Sequence, residues 1–129
     1  MYTLVADVVR YPDFLPWCIG ATVHASDALR IEASLEMQRS GFRKSFRTVN
    51  TLCPTTAIDL SLVDGPFKHL QGGWTFEQLG GAGSKVSLRM KFAFESRATD
   101  ALFGHYFEES CNKLIDAFVQ RARSVYGEV

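Results

Sequence analysis

The stretch KVSLRMKFAFESRATDALFGHYFEESCNKLIDAFVQRARSVY, residues 85–126, changes its period partway along. At first Val86, Leu88, Met90, Phe92 and Phe94 alternate with Lys85, Ser87, Arg89, Lys91 and Glu95. A period of two puts the apolar set on one face of a strand and the polar set on the other. From about Thr99 the apolar residues Leu102, Phe103, Tyr106, Phe107, Leu114, Ile115, Phe118, Val119, Ala122, Val125 and Tyr126 recur at helical spacing. That is the broad stripe of an amphipathic helix. Ser96 or Thr99 caps it, Asp100 suits its positive end and Gly127 stops it. Read as one helix it is about 40 Å long, enough to cross a whole sheet.

The earlier chain supplies that sheet. Leu29, Ile31, Ala33, Leu35 and Met37 alternate with Arg30, Glu32, Ser34, Glu36 and Gln38, and Gly41 ends the run. Residues 42–52 read as a second strand, ended by Pro54; Ile58, Leu60 and Leu62 mark a third, closed by Asp64-Gly65-Pro66. Trp74 and Phe76 mark a fourth, and residues 80–84 form a glycine-rich hairpin loop before the fifth. Ahead of all this, residues 1–9 place Leu4, Val5, Val8 and Val9 near one face of a helix fragment. Then Pro12 and Pro16 bracket Phe14 and Leu15 in an apolar knuckle that runs to Trp17. One wet face and one covered face mark an antiparallel sheet. The expected architecture is α+β: a curved antiparallel sheet wrapped around a long C-terminal helix, one domain over residues 1–129.

A chain of 129 residues, 47% hydrophobic and 22% charged, sustains one core without staples. Its 14 basic and 14 acidic residues cancel, which counts against a dedicated nucleic-acid binder but not against a local basic patch. Cys18, Cys53 and Cys111 have no CxxC spacing and read as reduced, intracellular thiols rather than a metal or redox site. The start MYTLVADVV lacks a basic n-region and a cleavage site, and no apolar run reaches the ~20 residues that span a bilayer. A cytoplasmic protein is expected.

The search for catalytic machinery is negative. His24, His69 and His105 are dispersed, and no HExxH, GxSxG, P-loop or dinucleotide fingerprint is present. Glu108 and Glu109 read as a solvated helix edge, while Asp59 and Asp64 face solvent or cap a turn. No metal and no catalytic residue are expected. The informative feature is the 12% aromatic content. Those rings either fill a plain core or wall an apolar cavity between sheet and helix. In the second case the candidate ligand-binding residues are Phe14, Leu15, Trp17, Leu35, Leu60, Phe67, Trp74, Met90, Phe92, Phe103, Phe107 and Phe118. The knuckle would gate such a cavity, and a charge at Leu15 or Trp17 would then cut ligand retention more than stability. Arg39, Arg43, Lys44 and Arg47 fall together without an acid among them. They form either a solvated hairpin or a contact for phosphate, on RNA or on an anionic membrane surface. If Phe42 and Phe46 point inward, Lys44 between them needs a partner or an exit to water.

Three segments carry a family likeness: LVADVVRYPDFLPWC at residues 4–18, VDGPFKHLQGGWTF at 63–76 and FAFES at 92–96. They resemble the START-like coenzyme Q-binding protein family, which includes bacterial ribosome-association toxins, within the polyketide cyclase/dehydrase-like superfamily. The resemblance implies a helix-grip (START/Bet v 1-like) fold with a hydrophobic tunnel between sheet and long helix. It implies non-catalytic binding of ubiquinone or a related polyprenyl lipid in support of respiratory electron transport, with no other cofactor. It implies a second role as well: binding the large ribosomal subunit, blocking subunit association and inhibiting translation. Peripheral contact with the inner membrane would accompany the lipid role. Tyr11, Pro12, Phe14, Leu15, Pro16 and Trp17 match the family at the tunnel mouth, followed by Pro66, Phe67 and Trp74. A cyclase-like enzyme is the third reading, disfavoured because no positioned acid/base pair is legible. The family pattern also places a strand upstream of the LVADV helix, whereas Met1 lies inside that helix. The resemblance therefore implies a missing first strand or an earlier native start, with unpaired edges that lower stability or recruit a second chain.

Overall fold

A computed structural model describes residues 1–39, 41–78 and 84–126. A short helix α1 (Tyr2–Ala6) and a 3-10 helix (Val8–Asp13) lead into six strands. These are β1 (Cys18–Ser26), β2 (Arg30–Arg39), β3 (Phe42–Cys53), β4 (Ala57–Asp64), β5 (Phe67–Gln78) and β6 (Ser84–Phe94). They form one antiparallel meander in the order β1-β2-β3-β4-β5-β6. Helices α2 (Arg97–Thr99), α3 (His105–Asn112) and α4 (Leu114–Tyr126) follow, with a π-helical turn over Asp100–Gly104.

The alternation read from β2 is the alternation observed. Ile31, Ala33, Leu35 and Met37 are buried, and the residues between them are half-buried or exposed. In β3 the buried set is Phe46, Thr48, Asn50 and Leu52, so two polar side chains sit in phase with the core. Register irregularities in β1, β4 and β5 mark bulges, which bend a strand and raise its twist. At the β4–β5 turn Gly65 has φ +147°, and a Cβ there would stand 2.6 Å from that of Phe46. Only glycine fits so close a turn without strain.

Three expectations change. Strand β1 escapes the periodicity reading because most of it is exposed, so its sequence need not alternate. Leu29 lies just outside β2 and is exposed. The C-terminal helix is not one continuous rod. It passes through the π turn and is interrupted at Lys113, whose φ and ψ are −101° and 0°. Apolar spacing dictates which side of a helix faces the core, and that side is preserved across a one-residue break. The expected cap is present, with the Ser96 hydroxyl accepting from the Thr99 N–H at 3.0 Å. The expected hairpin loop at 80–84 and the Gly127 stop fall largely or wholly outside the described residues.

Candidate functional site

Helices α3 and α4 each drive one ring into the concave sheet. Phe107 meets Phe67 at 5.3 Å, Phe92 at 4.8 Å and Phe46 at 6.2 Å between ring centroids. Phe118 meets Tyr11 at 5.4 Å, Phe14 at 5.0 Å and Trp74 at 5.3 Å. Between these two anchors the helical face carries the small residues Ser110 and Cys111. Too little side chain reaches the sheet there, and an apolar cavity of about 70 Å³ remains. Its wall includes Leu15, Trp17, Leu35, Leu60, Trp74, Met90, Phe107 and Phe118 from the candidate ligand set.

Four candidates lie elsewhere. Phe14 packs on the outer side of Phe118, beneath the Arg121 guanidinium at 5.3 Å. Phe67 stacks on Phe94 at 4.5 Å, and Phe103 is fully buried in the π turn. Phe92 packs on Phe107 and borders open grooves outside the cavity. Phe67 and Phe103 are buried core, while Phe14 and Phe92 are half-buried and pack edge to face on Phe118 and Phe107. The cavity is also well below the ~300 Å³ at which small-molecule pockets ordinarily begin. It is no open tunnel in this conformation.

The wall has polar members that periodicity arguments passed over. Thr48 Oγ1 donates to Asn50 Oδ1 at 3.2 Å, and both residues line the cavity at 7% exposure. The signal was present in the sequence, as two polar residues in phase with Phe46 and Leu52 on one strand face. The Tyr11 hydroxyl donates to the Val5 carbonyl, and burial pushes its pKa above the ordinary tyrosine range. Trp17 Nε1 is buried without an acceptor among the described residues. Outside Trp17 a groove of about 190 Å³ runs over Pro16, Tyr106, Glu109 and Lys113. Cavity and groove share Leu15, Trp17, Ser110 and Leu114, beside the helix interruption. Leu15 and Trp17 belong to the buried core, which corrects the expectation of a charge-tolerant gate.

The thiols divide by burial. Burial pushes Cys18 up to about 11 and the cavity-lining Cys111 up to about 12, while Cys53 is exposed. A raised thiol pKa means that stability is lost as pH rises past the unfolded thiol value. Native protein treated with iodoacetamide at pH 8 is expected to be alkylated at Cys53 first. Cys18 and Cys111 should react at comparable rates only after unfolding, as peptide mass mapping would show. Equal native rates at all three sites would contradict the packing around Cys111.

The basic cluster is partly spent. Arg47 Nη2 donates to Glu32 at 2.6 Å, and that hydrogen bond is the main cause holding the Glu32 carboxyl below its ordinary range. The Arg39 guanidinium lies 4.6 Å over the Tyr106 ring. Arg43 and Lys44 are exposed next to Phe42, which is 61% exposed at the end of the β2–β3 hairpin. Lys44 pairs in register with buried Met37 yet is itself exposed, so its exit is to water. The four cations thus do not act as one equivalent patch.

An antiparallel sheet closed by C-terminal helices over a small apolar hollow defines a helix-grip protein of the START kind. A START superfamily protein from Mycobacterium smegmatis shares this fold, with TM-score 0.67 and 19% identity over 96% of this chain and 88% of that one. The chain belongs to the family described as "Polyketide cyclase / dehydrase and lipid transport", which matches residues 1–119. It is 45% identical to the ribosome association toxin RatA of Vibrio cholerae, over 99% of this chain and 89% of the relative. It is 24% identical to the mitochondrial coenzyme Q-binding protein COQ10 of Dictyostelium discoideum, over 98% of this chain and 64% of the relative. No helix among the described residues is long and apolar enough to cross a membrane.

Proposed function

We propose that this chain associates with the ribosome in the cytoplasm, engaging the large subunit so that subunit association is blocked and translation inhibited. The observation that carries this reading is the similarity, along nearly the whole chain, to a protein named as a ribosome association toxin. The contact we assign is the end of the β2–β3 hairpin, where Arg43 and Lys44 are exposed beside Phe42. Cations of this kind bind RNA phosphate with a steep salt dependence, each contact contributing roughly 0.7–0.9 to the log–log slope. The test is co-sedimentation with ribosomal subunits over a salt series. Arg43→Glu with Lys44→Glu is expected to abolish sedimentation at moderate salt while leaving the thermal melt in place. Unchanged sedimentation places the interface elsewhere. Reversing Arg47 is a poorer probe, because a glutamate there would face Glu32 and disturb the β2–β3 pairing.

A second reading is favoured by the enclosed apolar cavity: non-catalytic binding of a hydrophobic molecule, ubiquinone or a related polyprenyl lipid, with peripheral contact at the inner membrane. The family description and the COQ10 relative support it. The non-catalytic part rests on the names of the relatives, a ribosome association toxin and a coenzyme Q-binding protein. A cavity this small would have to widen for a prenyl chain, with the shared wall at Leu15, Trp17 and Leu114 as the place to give. Native mass spectrometry of protein from its own host tests it. A retained neutral lipid is the expected result, and wholly ligand-free protein counts against it.

A further inference from the structure

The β2–β3 hairpin runs on past its neighbours. Register pairs join β1 to β2 only as far as Met37, and β4 to β3 only as far as Arg47. Beyond them Gln38 pairs with Arg43 and Arg39 with Phe42, so the two strands continue as an arm. At its turn Gly41 has φ +82°, and a Cβ there would meet nothing within 4 Å among the described residues. The arm has two faces, because opposed residues of an antiparallel pair share a side. Gln38 and Arg43 lie on one; Arg39, Phe42 and Lys44 lie on the other, in phase with buried Met37. The Arg39 guanidinium lies over Tyr106, which ties the arm to α3. Phe42 remains 61% exposed, and Lys44 follows it on the same face about 6.5 Å along the strand. Arg39, Arg43 and Lys44 form no ion pair among the described residues.

We propose that this arm reads an unpaired nucleotide of ribosomal RNA, its base stacked on Phe42 and the adjoining phosphates met by Lys44 and Arg43. A base inside a duplex has both faces covered by its neighbours, so only one in a loop, bulge or single strand can lie on an aromatic ring. An exposed ring suits such a base, and cations without an acid between them suit the phosphates on either side of it. A lipid surface would satisfy the cations but would bury little apolar area through a single ring. This assignment rests on the ribosome reading and adds to it which kind of RNA the arm touches.

The experiment compares the full chain with Phe42→Leu and Phe42→Trp for co-sedimentation with large ribosomal subunits over a salt series. Leucine keeps an apolar side chain at this position without a flat ring, and tryptophan keeps the ring. Phe42→Leu is expected to bind about tenfold more weakly at every salt concentration, with an unchanged log–log slope because no phosphate contact is lost. Phe42→Trp should bind at least as tightly as the parent. A single-stranded uridine octamer should displace the parent from subunits about tenfold better than a blunt RNA duplex of equal charge. Parental affinity in Phe42→Leu, or a duplex that displaces as well as the octamer, overturns base reading, while a parent that still sediments upholds the proposed function. A parent that does not sediment overturns both, and its binding to phosphatidylglycerol vesicles would then assign the arm to lipid. In the unmodified protein, ultraviolet cross-linking to an octamer carrying iodouridine should mark the peptide that contains Phe42. Cross-links confined to other peptides overturn the assignment, so a variant that fails to fold leaves the test intact.

Discussion

Replacing Phe118 with alanine is expected to lower the unfolding free energy by about 3–5 kcal/mol, a large share of the roughly 5–15 kcal/mol that holds a domain of this size. Phe118 is the buried residue of α4, and its ring meets Tyr11, Phe14 and Trp74 edge to face. It therefore joins three elements distant in sequence: the 3-10 helix and knuckle, strand β5, and the closing helix. Truncation removes the ring contacts and merges the new space with the cavity it already lines. Urea denaturation measures the loss as a fall in midpoint at constant slope. Phe14→Ala should cost much less, since Phe14 is only half-buried on the outer side of the same ring. Equal losses in the two variants would mean that α4 does not close the sheet through Phe118.

Leu15→Asp is expected to unfold the protein at neutral pH and to spare much of its stability near pH 4. Leu15 is 2% exposed, against both the cavity and the groove outside it. An aspartate there has its pKa raised by desolvation, by up to 3–5 units, which costs ~4 kcal/mol at pH 7, the most that ionisation of the unfolded state allows. Loss of the leucine's apolar burial adds ~2 kcal/mol. The sign follows from the raised folded-state pKa. Below the unfolded value of about 3.9 the acid is neutral in both states and the charge penalty vanishes. It grows as pH rises toward the folded-state value. Circular dichroism melts at both pH values test this. A variant as stable as the parent at pH 7 would make Leu15 a movable flap and restore the knuckle as a charge-tolerant gate. Because the structure places Leu15 in the core, gating is better probed by size-conserving changes such as Leu15→Met.

Two consequences for function follow from where side chains ended up. The proposed hairpin contact narrows from four cations to Arg43 and Lys44 with an exposed Phe42, since Arg47 is held by Glu32 and Arg39 lies on Tyr106. The expected aromatic-lined tunnel is a small apolar hollow, with Thr48 and Asn50 as polar members of its wall. The surface and the hollow are built from different residues. Variants can therefore test the two proposed roles separately.

Sequence by itself determined five of the six strands, the inward face of β2, β4, β5 and β6, a helix cap at Ser96 or Thr99 and the side of the C-terminal helices that meets the sheet. All of these are local: a period of two or of 3.6 is legible wherever one face must be dry. Strand β1 was not legible because an edge strand that is mostly exposed carries no such demand. Only the tertiary structure decided which aromatics are core and which line the hollow. Phe67 and Trp74 both sit on the inner side of β5, yet Phe67 finds Phe94 and Phe107 against it while Trp74 borders the gap at Ser110 and Cys111. The pairing of Arg47 with Glu32 likewise depends on the register of β2 against β3. Inward direction is a property of each segment's own repeat. What an inward side chain meets is set by how distant segments close on one another, and whether the facing residue is large or small decides between packed ring and cavity.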